Sequence, residues 1–242
     1  MAQLRMNPAL SAVSAQLLAK VTGFAKFSFI VGSKMAFFAP AAALLPLAGA
    51  FGGISGSLGM LGMGLLIRCV FFGSLPLLFL AYHIPGFFAS LYWARDSKIL
   101  RMLPAILCLV LFIAHPVGMQ SAWYSLFWVI PVVASCYSGL FFTALGSSFT
   151  AHAVGTLVWL YAGQLTAADF VLLAPVVIIE RVMIAVSMML VYKTIAMILN
   201  LSVRLDRGSE GAEWRGLHSF HFIDPNGTQK KFVSIAKTLA QK

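Results

Sequence analysis

A long apolar run with two charges at its centre, residues 174–192, limits the folds open to this chain. The run is apolar throughout except for Glu180 and Arg181, which stand side by side in its middle. Crossing a bilayer takes about 20 apolar residues, so the run has the length of a membrane helix. An ionisable side chain at membrane depth is costly unless a partner or water solvates it. The run therefore predicts a membrane helix that places Glu180 and Arg181 among polar groups.

The composition extends this prediction to the whole chain. Of the 242 residues 60% are hydrophobic and only 10% are charged, and the mean hydropathy is +0.91. A soluble domain carries about 25% charged residues. The three cysteines lie in apolar runs, which is typical of small buried hydrophobic residues and not of a disulfide framework. We predict an all-α fold, a polytopic transmembrane helical bundle.

The net charge of +10 has a distribution that indicates topology. Lys and Arg cluster near the N-terminus, at residues 95–101 and at residues 193–242, whereas the connections at 52–59, 118–122 and 163–169 contain none. Positively charged loops stay on the cytoplasmic side of a membrane. We therefore expect a multi-pass protein of the cell (inner) membrane with both termini cytoplasmic. Nucleic acid is not an expected partner.

Six apolar segments are predicted to cross the membrane. They cover residues 27–51, 57–93, 99–117, 123–145, 149–165 and 168–200, with a turn at 146–150. Two crossings before the 95–101 loop and four after it return the C-terminus to the cytoplasm. Residues 57–93 are too long for one straight span, and we prefer one broken or tilted element. Two helices meeting near Arg68 are the alternative, which gives seven crossings. Proline and glycine break several of these helices.

The chain divides into three predicted parts. Residues 1–26 form a cytoplasmic or interfacial amphipathic N-terminus, in which Leu10, Val13 and Leu17 recur at helical spacing. Residues 27–202 form the transmembrane bundle. Residues 203–242 form a basic cytoplasmic tail with an amphipathic helix that is typical of contact with a membrane surface or a partner. We expect no removable signal peptide, because no compact apolar core precedes a small-residue cleavage site.

The central charges are the first candidate site. Adjacent residues on a helix point about 100° apart, so we expect Glu180 and Arg181 to meet separate partners on other helices or water in a cavity. His152 and Arg68 are the candidate partners. A structural clamp between helices is the alternative to a polar cavity.

Three histidines in apolar segments, His83, His115 and His152, each lie near a proline or glycine. Each has three interpretations, namely a hydrogen bond to a carbonyl freed by a kink, contact with a substrate, or metal binding. No spacing among them matches a metal motif, so we expect neither a metal nor a cofactor. Among the aromatic residues, Trp128 and Trp159 lie deep enough to stack on a planar ligand, whereas residues 92–93 and 123–124 stand at segment ends, where aromatic belts occur.

Three functions are compatible with these residues. The first is an uptake component that binds a small organic solute through Glu180, Arg181 and the histidines and tryptophans named above. The second is a membrane enzyme that uses the histidines with Glu180, and the third is a non-catalytic membrane subunit or assembly factor. The sequence contains no Gly-x-Ser-x-Gly, Walker A, His-Glu-x-x-His or Cys-x-x-Cys motif. We therefore favour the first function and assign no catalytic residue.

Three features resemble the substrate-binding S components of energy-coupling-factor vitamin transporters. Residues 37–43 offer an Ala-xxx-Ala step like the surface on which those proteins dock, and the glycine-rich residues 52–64 look like their ligand-closing loop. Residues 149–155 and the Glu180–Arg181 pair fall where that family places binding residues. The resemblance implies a vitamin-like solute, membrane lipid, and two partners, a transmembrane coupling subunit and an ATPase. The chain departs from the pattern in Lys34 and Arg68, in its long second element and in its tail.

Overall fold

The computed structural model describes residues 7–22, 41–72, 77–94, 97–163 and 165–209, and these residues form helices and short connections with no strand. The prediction of an all-α fold is confirmed. The helices are α1 Pro8–Thr22, α2 Ala41–Leu44, α3 Leu47–Phe72, α4 Leu77–Ala94, α5 Lys98–Ala114, α6 Pro116–Gln120, a 3-10 helix Ala122–Trp128, α7 Val129–Cys136, α8 Leu140–Tyr161 and α9 Ala167–Ser209.

Three of the helices in the described part of the chain are long and apolar enough to cross a membrane. They are the stretches Leu47–Val70 in α3, Leu140–Tyr161 in α8 and Ala167–Leu199 in α9. Crossing needs about 20 apolar residues, and each stretch meets that length. These helices support the prediction of a membrane protein.

Helix α3 runs through the glycine-rich residues that the sequence suggested as a loop. The predicted connection at 52–59 is therefore wrong in extent, because the departure from helical geometry is local to Gly53, with φ 62° and ψ −152°. Only glycine adopts such a φ without strain. Gly49 and Gly64 of α3 serve close packing, since a Cβ atom would meet Ser90 at the first position and His83 at the second. Of the Ala-xxx-Ala step suggested at residues 37–43, Ala43 is 2% exposed and Ala39 lies outside the described residues.

Helices α3 and α4 pack against each other as an antiparallel pair. The Ser57 and Ser90 hydroxyl oxygens lie 2.8 Å apart in a buried hydrogen bond. Further along α3, Gly64 lies beside His83, so the contacts advance along α3 as they go backwards along α4. Residues 57–72 and 77–93 thus belong to two helices, and the preferred interpretation as one broken element is wrong. Serine and glycine at this contact let the two backbones approach closely.

Helix α8 also crosses a predicted turn. Residues 146–150 are in its middle, and the break in the chain comes earlier, at Gly139 with φ 153°. The segment predicted at 123–145 is correspondingly divided among the 3-10 helix, α7 and the start of α8. The small residues that suggested a turn are contact residues. Ser147 donates to the Ala89 carbonyl of α4 at 2.9 Å, and Ser148 donates to the Arg181 carbonyl of α9 at 3.0 Å.

The N-terminal helix α1 packs on α3 through small and polar residues. Ala12 and Ala15 are buried, and the Gln16 amide nitrogen donates to the Met60 carbonyl at 2.8 Å. Leu10 and Leu17 of the predicted apolar face point away from this contact and are exposed. The chain forms two compact units, Met1–Met197 and Ile198–Lys242. The predicted tail helix lies outside the described residues.

Candidate functional site

A cavity of about 430 Å³ lies in the first compact unit and is walled by α4, α8 and α9 with the turn after α2. The serine pair of α8 explains its position, because Ser147 holds α4 and Ser148 holds α9 on either side of α8. The wall is mostly apolar. The apolar lining consists of Ala42, Leu45, Pro46, Pro85, Gly86, Ala89, Ala151, Gly155, Leu165, Leu173, Ile184 and Met188.

The polar part of the wall contains three of the residues predicted from the sequence. His152, Trp159 and Arg181 line the cavity, together with the hydroxyl residues Ser148 and Thr156. His152 and Trp159 stand seven positions apart on α8, which is about two helical turns, so both side chains are on the same face. The cavity thus combines a cation, an imidazole, an indole and two hydroxyl residues with apolar walls.

Glu180 and Arg181 form an ion pair with each other. The Arg181 Nη2 and Glu180 Oε2 atoms are 2.7 Å apart, and the two side chains are only 16% and 14% exposed, respectively. The expectation that the two residues would meet separate partners is wrong. Their directions do differ by about 100°, but both side chains are long and flexible enough to turn towards each other. Arg181 is among the cavity-lining residues and Glu180 is not, which places Arg181 nearer the cavity.

Tyr124 holds His152 from outside the cavity. The Tyr124 hydroxyl and His152 Nε2 are 3.0 Å apart in a hydrogen bond that joins the 3-10 helix to α8. Tyr124 is completely buried, and its ring packs against Phe112 and Phe170. The sequence suggested an aromatic belt at residues 123–124, whereas the Tyr124 side chain faces the protein interior. The sequence does not indicate the hydrogen bond between Tyr124 and His152, because this contact depends on how the 3-10 helix packs on α8.

The other predicted site residues lie elsewhere. His83 is beside Gly64 of α3. His115 precedes α6, where its Nδ1 accepts from the Val117 backbone N–H at 3.3 Å, and its ring meets Tyr161 edge-on. Trp128 is fully buried against Phe112, with ring centroids 4.6 Å apart. None of these three side chains lines the cavity.

The histidines occupy separate environments. His152 faces the cavity with Tyr124 behind it, whereas His83 and His115 pack against other parts of the bundle. Among the residues that the structure describes, no three His, Cys, Asp or Glu side chains are grouped in a way that would hold a metal ion. The site therefore offers hydrogen-bonding groups, an ion pair and aromatic rings.

Comparison with known proteins assigns the chain to no family. Neither protein-family models, nor curated proteins, nor solved structures match the chain.

Proposed function

We propose that the protein is an integral membrane component that binds a small organic solute in the cavity between α4, α8 and α9 for uptake. The observation that carries the proposal is the meeting of His152, Trp159 and Arg181 on one largely apolar cavity. Small-molecule sites are concave, mostly apolar, and carry a few polar groups that orient the ligand. The cavity has this composition, and its volume of about 430 Å³ is in the usual range of about 300–1,000 Å³.

In this proposal each polar residue has a separate task. The Trp159 indole offers a flat surface for a ring, and the Arg181 guanidinium offers N–H donors. His152, held by Tyr124, offers its remaining ring nitrogen. The six-span topology with cytoplasmic termini belongs to the same proposal, with α3 and α4 as the two crossings before the 95–101 loop and four crossings after it. So does the dependence on partners, a transmembrane coupling subunit and an ATPase, because the sequence carries no Walker A motif with which to bind ATP itself.

Filling the cavity is expected to abolish solute binding. Ala151 lines the cavity, so Ala151→Leu places three further carbon atoms in it. Ala114 is exposed at the end of α5, and Ala114→Leu makes the same chemical change outside the cavity. We expect a thermal-shift screen of small organic solutes to yield compounds that stabilise the wild type and Ala114→Leu but not Ala151→Leu. A compound at a hundred times its Kd stabilises by about 2.7 kcal/mol, which such a screen detects.

Two results of this screen would contradict the proposal. One is a broad screen in which no compound stabilises the wild type. The other is equal stabilisation of Ala151→Leu and the wild type, which would place the binding site elsewhere.

The proposed topology is tested by cysteine labelling in a background without Cys69, Cys108 and Cys136. Ser97 and Met119 are both exposed and stand at opposite ends of the α5–α6 segment. We expect a membrane-impermeant maleimide to label Met119→Cys in intact cells and Ser97→Cys only after lysis. Labelling of Ser97→Cys in intact cells would overturn the six-span topology, because the parity of crossings depends on that loop being cytoplasmic.

A further inference from the structure

We propose that the cavity selects uncharged, ring-containing solutes that carry a hydrogen-bond acceptor, and that Glu180 sets this preference by cancelling the charge of Arg181. The inference rests on the proposed function and adds the class of solute. It depends on the positions of two adjacent side chains, one in the cavity wall and the other behind it.

The first step concerns charge. Arg181 is the only Lys or Arg among the cavity-lining residues of the described chain, and no Asp or Glu lines the cavity there. The positive charge is offset by Glu180 at 2.7 Å. An anion entering this cavity would leave water for largely apolar walls and meet a cation already neutralised by a carboxylate. A cation would meet the guanidinium first. Both kinds of ion are therefore disfavoured relative to a neutral solute.

The second step concerns hydrogen bonding. A guanidinium carries five N–H donors and no acceptor. The ion pair uses Nη2. Arg181 therefore keeps donors that the pair with Glu180 does not use. A solute carbonyl oxygen or ring nitrogen is the complementary group for these donors.

The third step concerns shape. Trp159 lies on the same face of α8 as His152, and Pro85, Leu173 and Ile184 contribute to the apolar wall. Indole rings favour offset or edge-on contact with other rings. A planar ring with one acceptor group fits these walls better than a flexible polar chain, because its apolar surface is buried without further unpaired polar atoms.

Two probes of equal shape test the charge preference. 2-Naphthamide and 2-naphthoate share one ring system, and the carboxylate is ionised at about pH 7. Equilibrium dialysis with detergent-purified protein measures both, and Ala151→Leu corrects for partition into the micelle. We expect the wild type to bind the amide about tenfold more tightly than the carboxylate. We expect Glu180→Gln to change that ratio by about tenfold in favour of the carboxylate, because Arg181 is then no longer neutralised.

Each other outcome counts against the inference. It is overturned if the wild type binds the carboxylate as tightly as the amide, if Glu180→Gln leaves the ratio unchanged, or if the wild type shows no saturable binding of the amide. Should the amide fail while other compounds stabilise the wild type and not Ala151→Leu, the proposed function stands and only the solute class is wrong. Should Ala151→Leu bind the amide as the wild type does, the cavity is not the site and both proposals fail. Because the wild-type ratio is itself decisive, the test does not depend on the folding of the variant.

Discussion

Replacing Gly49 by alanine is expected to destabilise the protein strongly. A Cβ atom at this position would lie 1.9 Å from the Ser90 carbonyl oxygen and 2.7 Å from its carbonyl carbon. The obstacle is backbone, so rotating a side chain cannot relieve it, and α3 and α4 must separate. Overpacking of this kind costs about 3 kcal/mol. We expect a large fall in the melting temperature of the purified protein in detergent.

The matched control is Gly62→Ala on the same helix. A Cβ atom there would meet nothing within 4 Å beyond the neighbouring backbone of its own helix, and that backbone is helical. Alanine is better than glycine in a helix by about 1 kcal/mol, so this variant should melt at the same temperature as the wild type or slightly higher. Equal melting temperatures for the two variants would show that α3 and α4 do not approach as closely as described.

The same glycines explain which part of the fold the sequence could predict. The hydrophobic content and the length of the apolar runs were sufficient for the all-α prediction, because a helix satisfies its own backbone groups in an apolar environment. The boundaries of the helices were harder to predict. Glycine and serine mark turns in soluble proteins and close contacts in membrane helices, and residues 146–148 look the same in either case. Only the partner helix, which accepts the bonds from Ser147 and Ser148, distinguishes the two.

The candidate site was also predictable only in part: individual residues were identified, but their arrangement was not. Arg181 and His152 were predicted as site residues because ionisable residues at membrane depth are costly and usually functional. Their shared cavity was not predictable, since α8 and α9 could pack in many rotations that the sequence does not distinguish. The contact of Tyr124 with His152 was not predicted for a further reason. A tyrosine at a segment end fits an interfacial belt, and only the packing of the 3-10 helix puts its hydroxyl 3.0 Å from His152.

Substitutions in the Glu180–Arg181 ion pair are expected to have the other large effect on stability. The loss of stability should differ between the two residues. Arg181→Met leaves the Glu180 carboxylate 14% exposed, away from the cavity and without its guanidinium partner. Stranding one member of a buried pair costs about 3–5 kcal/mol. Glu180→Gln is expected to cost less, because the guanidinium borders the cavity, where water can solvate it, and the glutamine oxygen still accepts a hydrogen bond. Melting temperatures in detergent should therefore fall much further for Arg181→Met.

The double variant Glu180→Gln/Arg181→Met separates the cost of a stranded charge from the loss of packing. With both charges removed nothing charged is left buried, so the double variant should regain most of the stability that Arg181→Met loses. Solute binding should not return with stability, since the guanidinium that lines the cavity is still missing. Recovery of both together would mean that the pair only clamps the helix, and the cavity would lose its cation as a binding group. A solute site requires recovery of stability without recovery of binding. That result would show that Arg181 contributes to solute binding separately from its contribution to stability.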